Sequence, residues 1–148
     1  MKGFINTYDY AKEEKMNIDY LNTLPEVENT FNIDLQEDEK IIFTAKLRCF
    51  GTETDRFLGG SNSKITLTNK RIMADNTVGI WTIDIADDIV SYQKVESGRF
   101  IFKSAYILIN LNKEVGFNDG KEKLNGFRFY FNKKDILKFE TIMNHLLK

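Results

Sequence analysis

With 148 residues the chain has the length of one folding unit, enough to bury roughly two-thirds of its unfolded surface without disulfide or metal staples. Apolar residues at 42% and charged residues at 29% are those of a soluble globular protein, and a net charge of −1, from 21 basic and 22 acidic side chains, argues against a general polyanion binder. One cysteine and one histidine exclude an internal disulfide and a histidine-built metal site, while twelve Phe and six Tyr point to sheet-rich packing.

At the N-terminus, Phe4-Ile5 after Lys2 is too short for a secretory apolar core, and Lys rather than Gly at position 2 gives no acylation signal. The longest apolar run, 105–109, is far below the roughly 20 residues that span a bilayer. The expectation is a cytoplasmic protein. Residues 8–24 are rich in Ala, Glu, Lys and Leu, with a weak helical stripe from Tyr10, Tyr20, Leu21 and Leu24. Pro25 disfavours helix at Leu24, so that helix ends there. Residues 1–40 hold four Lys against ten acidic groups, a balance of −6, and residues 41–148 hold seventeen basic and twelve acidic groups, a balance of +5. The division predicts an acidic, partly helical extension over 1–36 that docks on the basic remainder of this chain or of a neighbour, with 37–148 as the main domain.

From Lys40 onward, short β-type runs alternate with turn signals. Strands are predicted over 41–49, 64–68, 72–75, 79–85, 89–95 and 102–111, with a polar loop over 50–62 and a tight corner at Asn69-Lys70-Arg71. In 79–85, Ile80, Thr82 and Asp84 fall on one side and Trp81, Ile83 and Ile85 on the other. Asn118-Asp119-Gly120 marks a turn, after which Phe127, Phe129 and Phe131 share one face of a seventh strand. A helix then begins at Lys133, with Asn132 as its cap and Asp135 answering it, and an apolar stripe of Ile136, Phe139, Ile142, Met143, Leu146 and Leu147. Closely spaced antiparallel strands followed by one amphipathic helix predict a strongly bent sheet or barrel, with the helix over an open end or face.

The stretch Gly60-Ser61-Asn62-Ser63-Lys64-Ile65-Thr66-Leu67-Thr68-Asn69-Lys70-Arg71-Ile72 resembles the "G-x-L-x-L-T-N-x-R-[IL]" hairpin of bacterial pleckstrin-homology (PH) domains and of the related GRAM domains. Glu39-Lys40-Ile41-Ile42 is similar to that family's lead-in to the first strand, Ile83 to Ser91 to the run between its two sheets, and Phe127 to Phe131 with the following helix to its last strand and closing helix. The resemblance covers about three-quarters of the chain, 37–148. It implies a mainly β fold: a PH-like seven-stranded, two-sheet partial barrel capped by a C-terminal amphipathic helix, here with an N-terminal helical extension. It also implies binding rather than catalysis.

The candidate binding residues are Lys46, Arg48, Arg56, Phe57, Lys64, Arg99 and Phe100. Lys46 and Arg48, two apart on a strand, share a face as a phosphate clamp needs, and Arg56 and Lys64 frame the Gly-rich loop behind them. Glu53 and Asp55 in that loop oppose an anion, and charges on a solvated β-face are the plainer account. Arg99-Phe100 and Arg56-Phe57 place cations beside aromatics, as a membrane interface or a protein contact uses them, although Phe100 equally fits an inward row. The leading expectation is a non-enzymatic intracellular interaction or scaffolding module that binds a protein partner or itself. The alternatives are peripheral binding of anionic lipid at the inner face of a membrane through the basic loop, and a small β-barrel carrier of an apolar ligand. No cofactor or metal is called for, the acidic first forty residues disfavour nucleic acid, and neither His145 nor Cys49 has a catalytic companion placed by sequence.

Overall fold

The computed structural model of the protein describes residues 16–97 and 104–147, so Arg99, Phe100 and residues 8–15 of the predicted first helix lie outside the described residues. The elements are α1 (Ile18–Thr23), β1 (Ile41–Thr52), β2 (Phe57–Gly59), β3 (Lys64–Thr68), β4 (Arg71–Asp75), β5 (Ile80–Asp84), α2 (Ile85–Asp88), β6 (Ile89–Ser97), β7 (Ser104–Phe117), β8 (Glu122–Phe131) and α3 (Lys133–Leu146). The strands are ordered β5-β4-β3-β1-β8-β7-β6, with β2 paired to β1 off that path. Every pairing is antiparallel.

Strand β1 belongs to both halves of the curled sheet. Its first part, to Lys46, pairs with β3, and its second part, from Leu47, pairs with β8. The register slips between Leu47 and Cys49, and an extra residue of this kind bends a strand and raises its twist. The seven-stranded half-barrel folds about this point. Inside it, Phe127 and Phe129 stack at 5.7 Å, Phe50 lies 6.0 Å from Phe129, and Phe131 and Phe43 meet Phe139 of α3 at 4.9 and 5.6 Å. The predicted row of Phe127, Phe129 and Phe131 is buried, and with Phe50 and Phe139 these rings occupy the interior where an apolar cargo would sit.

Helix α3 starts at Lys133, and Ile136, Phe139, Ile142, Met143 and Leu146 are its buried stripe. The expected side-chain cap is not made. Asn132 serves through its carbonyl, which accepts from the N–H groups of Asp135 and Ile136. Helix α1 ends at Thr23, before Pro25, and packs on the far end of α3. Leu21 is fully buried there, the Asn17 N–H donates to the Leu146 carbonyl at 2.7 Å, and the Tyr20 ring stacks on His145 at 4.8 Å.

The following segment is held by the corner between β3 and β4. Arg71 makes a two-pronged bond to the buried Glu39 carboxylate (Nε–Oε2 2.8 Å, Nη2–Oε1 3.0 Å) and donates to the Asp34 carbonyl. Thr68 donates its hydroxyl to Glu39, Lys70 donates to the Glu37 carbonyl, and the Asn69 amide donates to Asp38 and Asn22. Burial alone pushes the Glu39 carboxyl up. The hydrogen bonds from Arg71, the Gln36 N–H and Thr68, with the charge of Arg71, overcome that and hold it below the usual carboxylate range. The motif that carries the family resemblance therefore has its polar side chains engaged in the fold.

Several strand limits differ from the sequence reading. Strand β1 runs on through Phe50-Gly51-Thr52, because Gly51 lets the Arg56 carbonyl approach: a Cβ at position 51 would sit 2.5 Å from that oxygen. Gly51→Ala is expected to cost about 1–3 kcal/mol in chemical denaturation, since backbone must move to admit the methyl group. Strand β7 continues to Phe117, so that β7 and β8 form a long hairpin whose turn holds Asn118, Asp119 and Gly120 at positive φ. The segment predicted as strand through Ile85 instead closes into α2, where Asp84 accepts from the Asp87 N–H. Among the described residues no helix is long and apolar enough to cross a membrane.

Candidate functional site

Three connections meet at one end of the half-barrel. The β1–β2 connection and β2 bring Arg56, Phe57 and Leu58, the β4–β5 turn brings Asn76 to Trp81, and the β7–β8 turn brings Phe117, Asn118 and Glu122. Together they enclose a groove of about 580 Å³. Its floor is aromatic, with the Trp81 ring edge-on to Phe117 at 6.3 Å and to Phe127 of the core at 5.8 Å. Its rim is apolar and exposed: Phe57 is 73% accessible, Val78 91% and Ile80 58%. Single exposed apolar residues are ordinary, but here three of them surround one groove.

Each wall is fixed by polar bonds set back from the rim. Asn76 accepts from the N–H groups of Val78 and Gly79 at 2.7 and 3.0 Å, closing the turn, and donates to the Leu58 carbonyl at 2.6 Å. Arg56 and Glu122 form an ion pair across the groove, and Asn118 donates to the same carboxylate at 3.0 Å. The β1–β2 connection is anchored on β8, where Arg128 lies over the Tyr106 ring at 4.8 Å and donates to the Glu53 carbonyl, while the Tyr130 hydroxyl donates to Asp55. The groove is thus a supported surface, with its apolar rim facing water.

Of the predicted site residues, Arg56 and Phe57 are in this groove. Lys46 and Arg48 are exposed on β1, and Lys64 lies directly opposite Lys46 on β3. Lys64 also stands over the Phe31 ring at 5.2 Å and faces Asp75 across β4, whose carboxyl burial pushes up against the pull of Lys64. Arg56 precedes Phe57, the partner of Gly51, so it sits about five strand residues from Lys46, roughly 17 Å along β1. The structure therefore places the four cations in two sets, with Arg56 already paired to Glu122. Val78, Ile80, Trp81 and Phe117 were absent from the sequence candidates. The available signal was two aliphatic residues, Val78 and Ile80, flanking Gly79 in a segment otherwise marked as a turn.

Away from the groove, His145 and Asp88 are held by bonds within the fold. His145 bonds the Thr141 carbonyl through Nδ1 beneath Tyr20, burial pushes the Cys49 thiol up, and Asp88 pairs with Lys113 at 3.1 Å while accepting from the Asp84 N–H. Among the described residues no group of three His, Cys, Asp or Glu side chains is placed to hold a metal ion.

No protein-family model matches the chain, and no curated protein matches it. Among solved structures the Vps36 N-terminal PH domain is similar to it, with a TM-score of 0.56 over 84% of this chain and 90% of that one at 17% sequence identity. Identity this low speaks for the fold, which is PH-like.

Proposed function

We propose that the chain is a non-enzymatic interaction module of PH-like type that binds a protein partner through the groove between Phe57, Val78, Ile80, Trp81 and Phe117. The observation that carries this reading is the exposed apolar rim over an aromatic floor, since aromatic side chains and exposed apolar surface are what protein contacts bury. The hairpin motif 60–72 supports a bacterial-PH or GRAM type within that fold. The bonds of His145 to Thr141 and of Asp88 to Lys113 and Asp84 favour binding over catalysis. The anionic-lipid reading is served less well, because Lys46, Arg48 and Lys64 do not face one pocket with Arg56.

A photo-crosslinking residue at position 78 of the intact chain is expected to yield discrete protein adducts in cells, and Phe57→Asp to abolish them. Phe57→Asp should leave stability within about 0.5 kcal/mol, because the ring it removes is mostly in water. Adducts to lipid alone, or protein adducts indifferent to Phe57→Asp, would overturn the reading. Sedimentation with anionic vesicles at low salt is expected to leave the protein in the supernatant. Binding lost in Lys46→Glu would instead support the lipid reading.

A further inference from the structure

The groove does not end at its apolar rim, because it runs into an open sheet edge. Among the described residues the order β5-β4-β3-β1-β8-β7-β6 ends at β5 and β6, and the three-residue β2 is paired on one side only, to β1. The two edges are not alike. The β6–β7 register slips between Ile89 and Ser91, and β6 carries Lys94 and Glu96, both of the kinds of feature that blunt an edge against pairing. The β4–β5 pairing runs from Arg71↔Asp84 to Asp75↔Ile80 without a slip, and β5 itself holds neither lysine nor proline. By the criteria that protect natural edges, β5 is open over Ile80 to Ile83, while at its end Asp84 carries a charge and gives its N–H to Asp88.

The direction of its backbone groups follows from three bonds. The Gly79 carbonyl accepts from Asn76 and the Ile85 N–H donates to Lys70, so the odd-numbered residues face β4. The Asp84 N–H points the other way, to the Asp88 carboxylate. In an antiparallel ladder both backbone groups of alternate residues share one side, so Ile80 and Thr82 present their N–H and C=O groups to the open side. Both residues are exposed. Unpaired donors and acceptors in strand geometry select another extended chain over a helix or a lipid headgroup.

Charge adds a direction. The outer face of β5 is apolar at Ile80, neutral at Thr82 and acidic at Asp84, and Asp87 follows in α2. Among the described residues neither Asp84 nor Asp87 has an ion-pair partner. We propose that the open edge of β5 accepts an extended peptide of a partner protein as an added antiparallel strand, with a basic residue beside Asp84 and, four positions later, a large apolar residue beside Ile80 that enters the groove. This rests on the reading of the groove as a protein contact and supplies the conformation and sequence pattern of what it contacts.

The test pans a random twelve-residue peptide library displayed on phage against the intact chain. Enriched peptides are expected to carry Lys or Arg followed four residues later by Phe, Leu or Ile. In hydrogen exchange they should protect the Ile80 and Thr82 amides. Thr82→Pro removes an open-side donor without touching a bond to β4, and is expected to weaken such a peptide at least tenfold. N-methylation of the synthetic peptide at alternate residues should do the same, and at the intervening residues should change affinity less than about twofold. This arm holds whether or not Thr82→Pro folds. Phe57→Asp should also weaken binding. Peptides lost in Phe57→Asp but indifferent to Thr82→Pro and to the phase of N-methylation would overturn strand addition and leave the groove reading standing. Peptides indifferent to all three, or no enrichment, would overturn both.

Discussion

Replacing Arg71 with methionine is expected to lower the folding free energy by about 3–5 kcal/mol at neutral pH, read as a drop in the urea midpoint at unchanged slope. The Glu39 side chain is fully buried, and Arg71 supplies two of its bonds and its only neutralising charge among the described residues. Without Arg71 the carboxylate keeps the Gln36 N–H and the Thr68 hydroxyl, which do not balance a buried charge. The double variant Glu39→Leu with Arg71→Met removes both charges and is expected to recover most of the loss. An Arg71→Met midpoint within error of the parent's would mean that the pair contributes nothing.

The same pair predicts the sign of a pH dependence. Glu39 is held below the ordinary carboxylate range in the folded chain, so its contribution is complete above the unfolded value of about 4.3 and disappears as pH falls through the folded value. In Arg71→Met, burial, already the largest single influence, is no longer outweighed and is expected to push the carboxyl up. The folded variant then binds its proton more tightly than the unfolded chain does, and it gains stability relative to the parent as pH falls toward about 4. Urea titrations of both proteins across that range are expected to converge, and curves that stay parallel would contradict the account.

This pair also marks how far the sequence could be read. Alternation in Ile80 to Ile85 and Phe127 to Phe131, and the helical stripe from Ile136, each depend on local spacing, so the strands, their bent sheet and the closing helix were legible. The hairpin motif was recognisable as a pattern, but its role required knowing that Glu39, 32 positions before Arg71, folds back onto it. Strand β2, three residues long, is too short to carry a period, and the extension of β1 through Gly51 depends on a backbone contact with Arg56. Arg56 and Phe57, singled out by residue type, both line the groove. Type alone did not reveal that Glu122 already pairs with Arg56 or that Lys64 stands over Phe31. Which cations converge is set by strand register, and register is a long-range property.

The contrast of charge between 1–40 and 41–148 acquires a structural meaning from the same contacts. Lys40, Lys70 and Arg71 reach the segment from Asn22 to Asp38, but they bond mainly to its carbonyl oxygens, at Asn22, Glu37 and Asp34. Backbone acceptors hold the segment whatever its side-chain charge, so most of its carboxylates remain exposed to water. Directed hydrogen bonds to the backbone, not pairing of opposite side-chain charges, fix this segment on the β3–β4 corner.

Leu21→Ala is therefore expected to destabilise the whole fold by about 2–5 kcal/mol, the cost of emptying a fully buried leucine site. Leu21 lies in the same cluster as Phe139, Met143 and Leu146 of α3, so its methyl groups complete the packing of the closing helix on its outer end. Leu137→Ala, on the exposed side of that helix, is the matched control and should shift stability by no more than about 0.5 kcal/mol. A chain lacking residues 1–36 loses Leu21, the Asn17 bond to Leu146 and the Tyr20 stack on His145 together, and is expected to lose at least as much as Leu21→Ala. If calorimetry found Leu21→Ala as stable as Leu137→Ala, residues before 37 would be a tether resting on the fold. If the loss is of the expected size, the folding unit begins well before the first strand, and α1 belongs to the core beneath the closing helix.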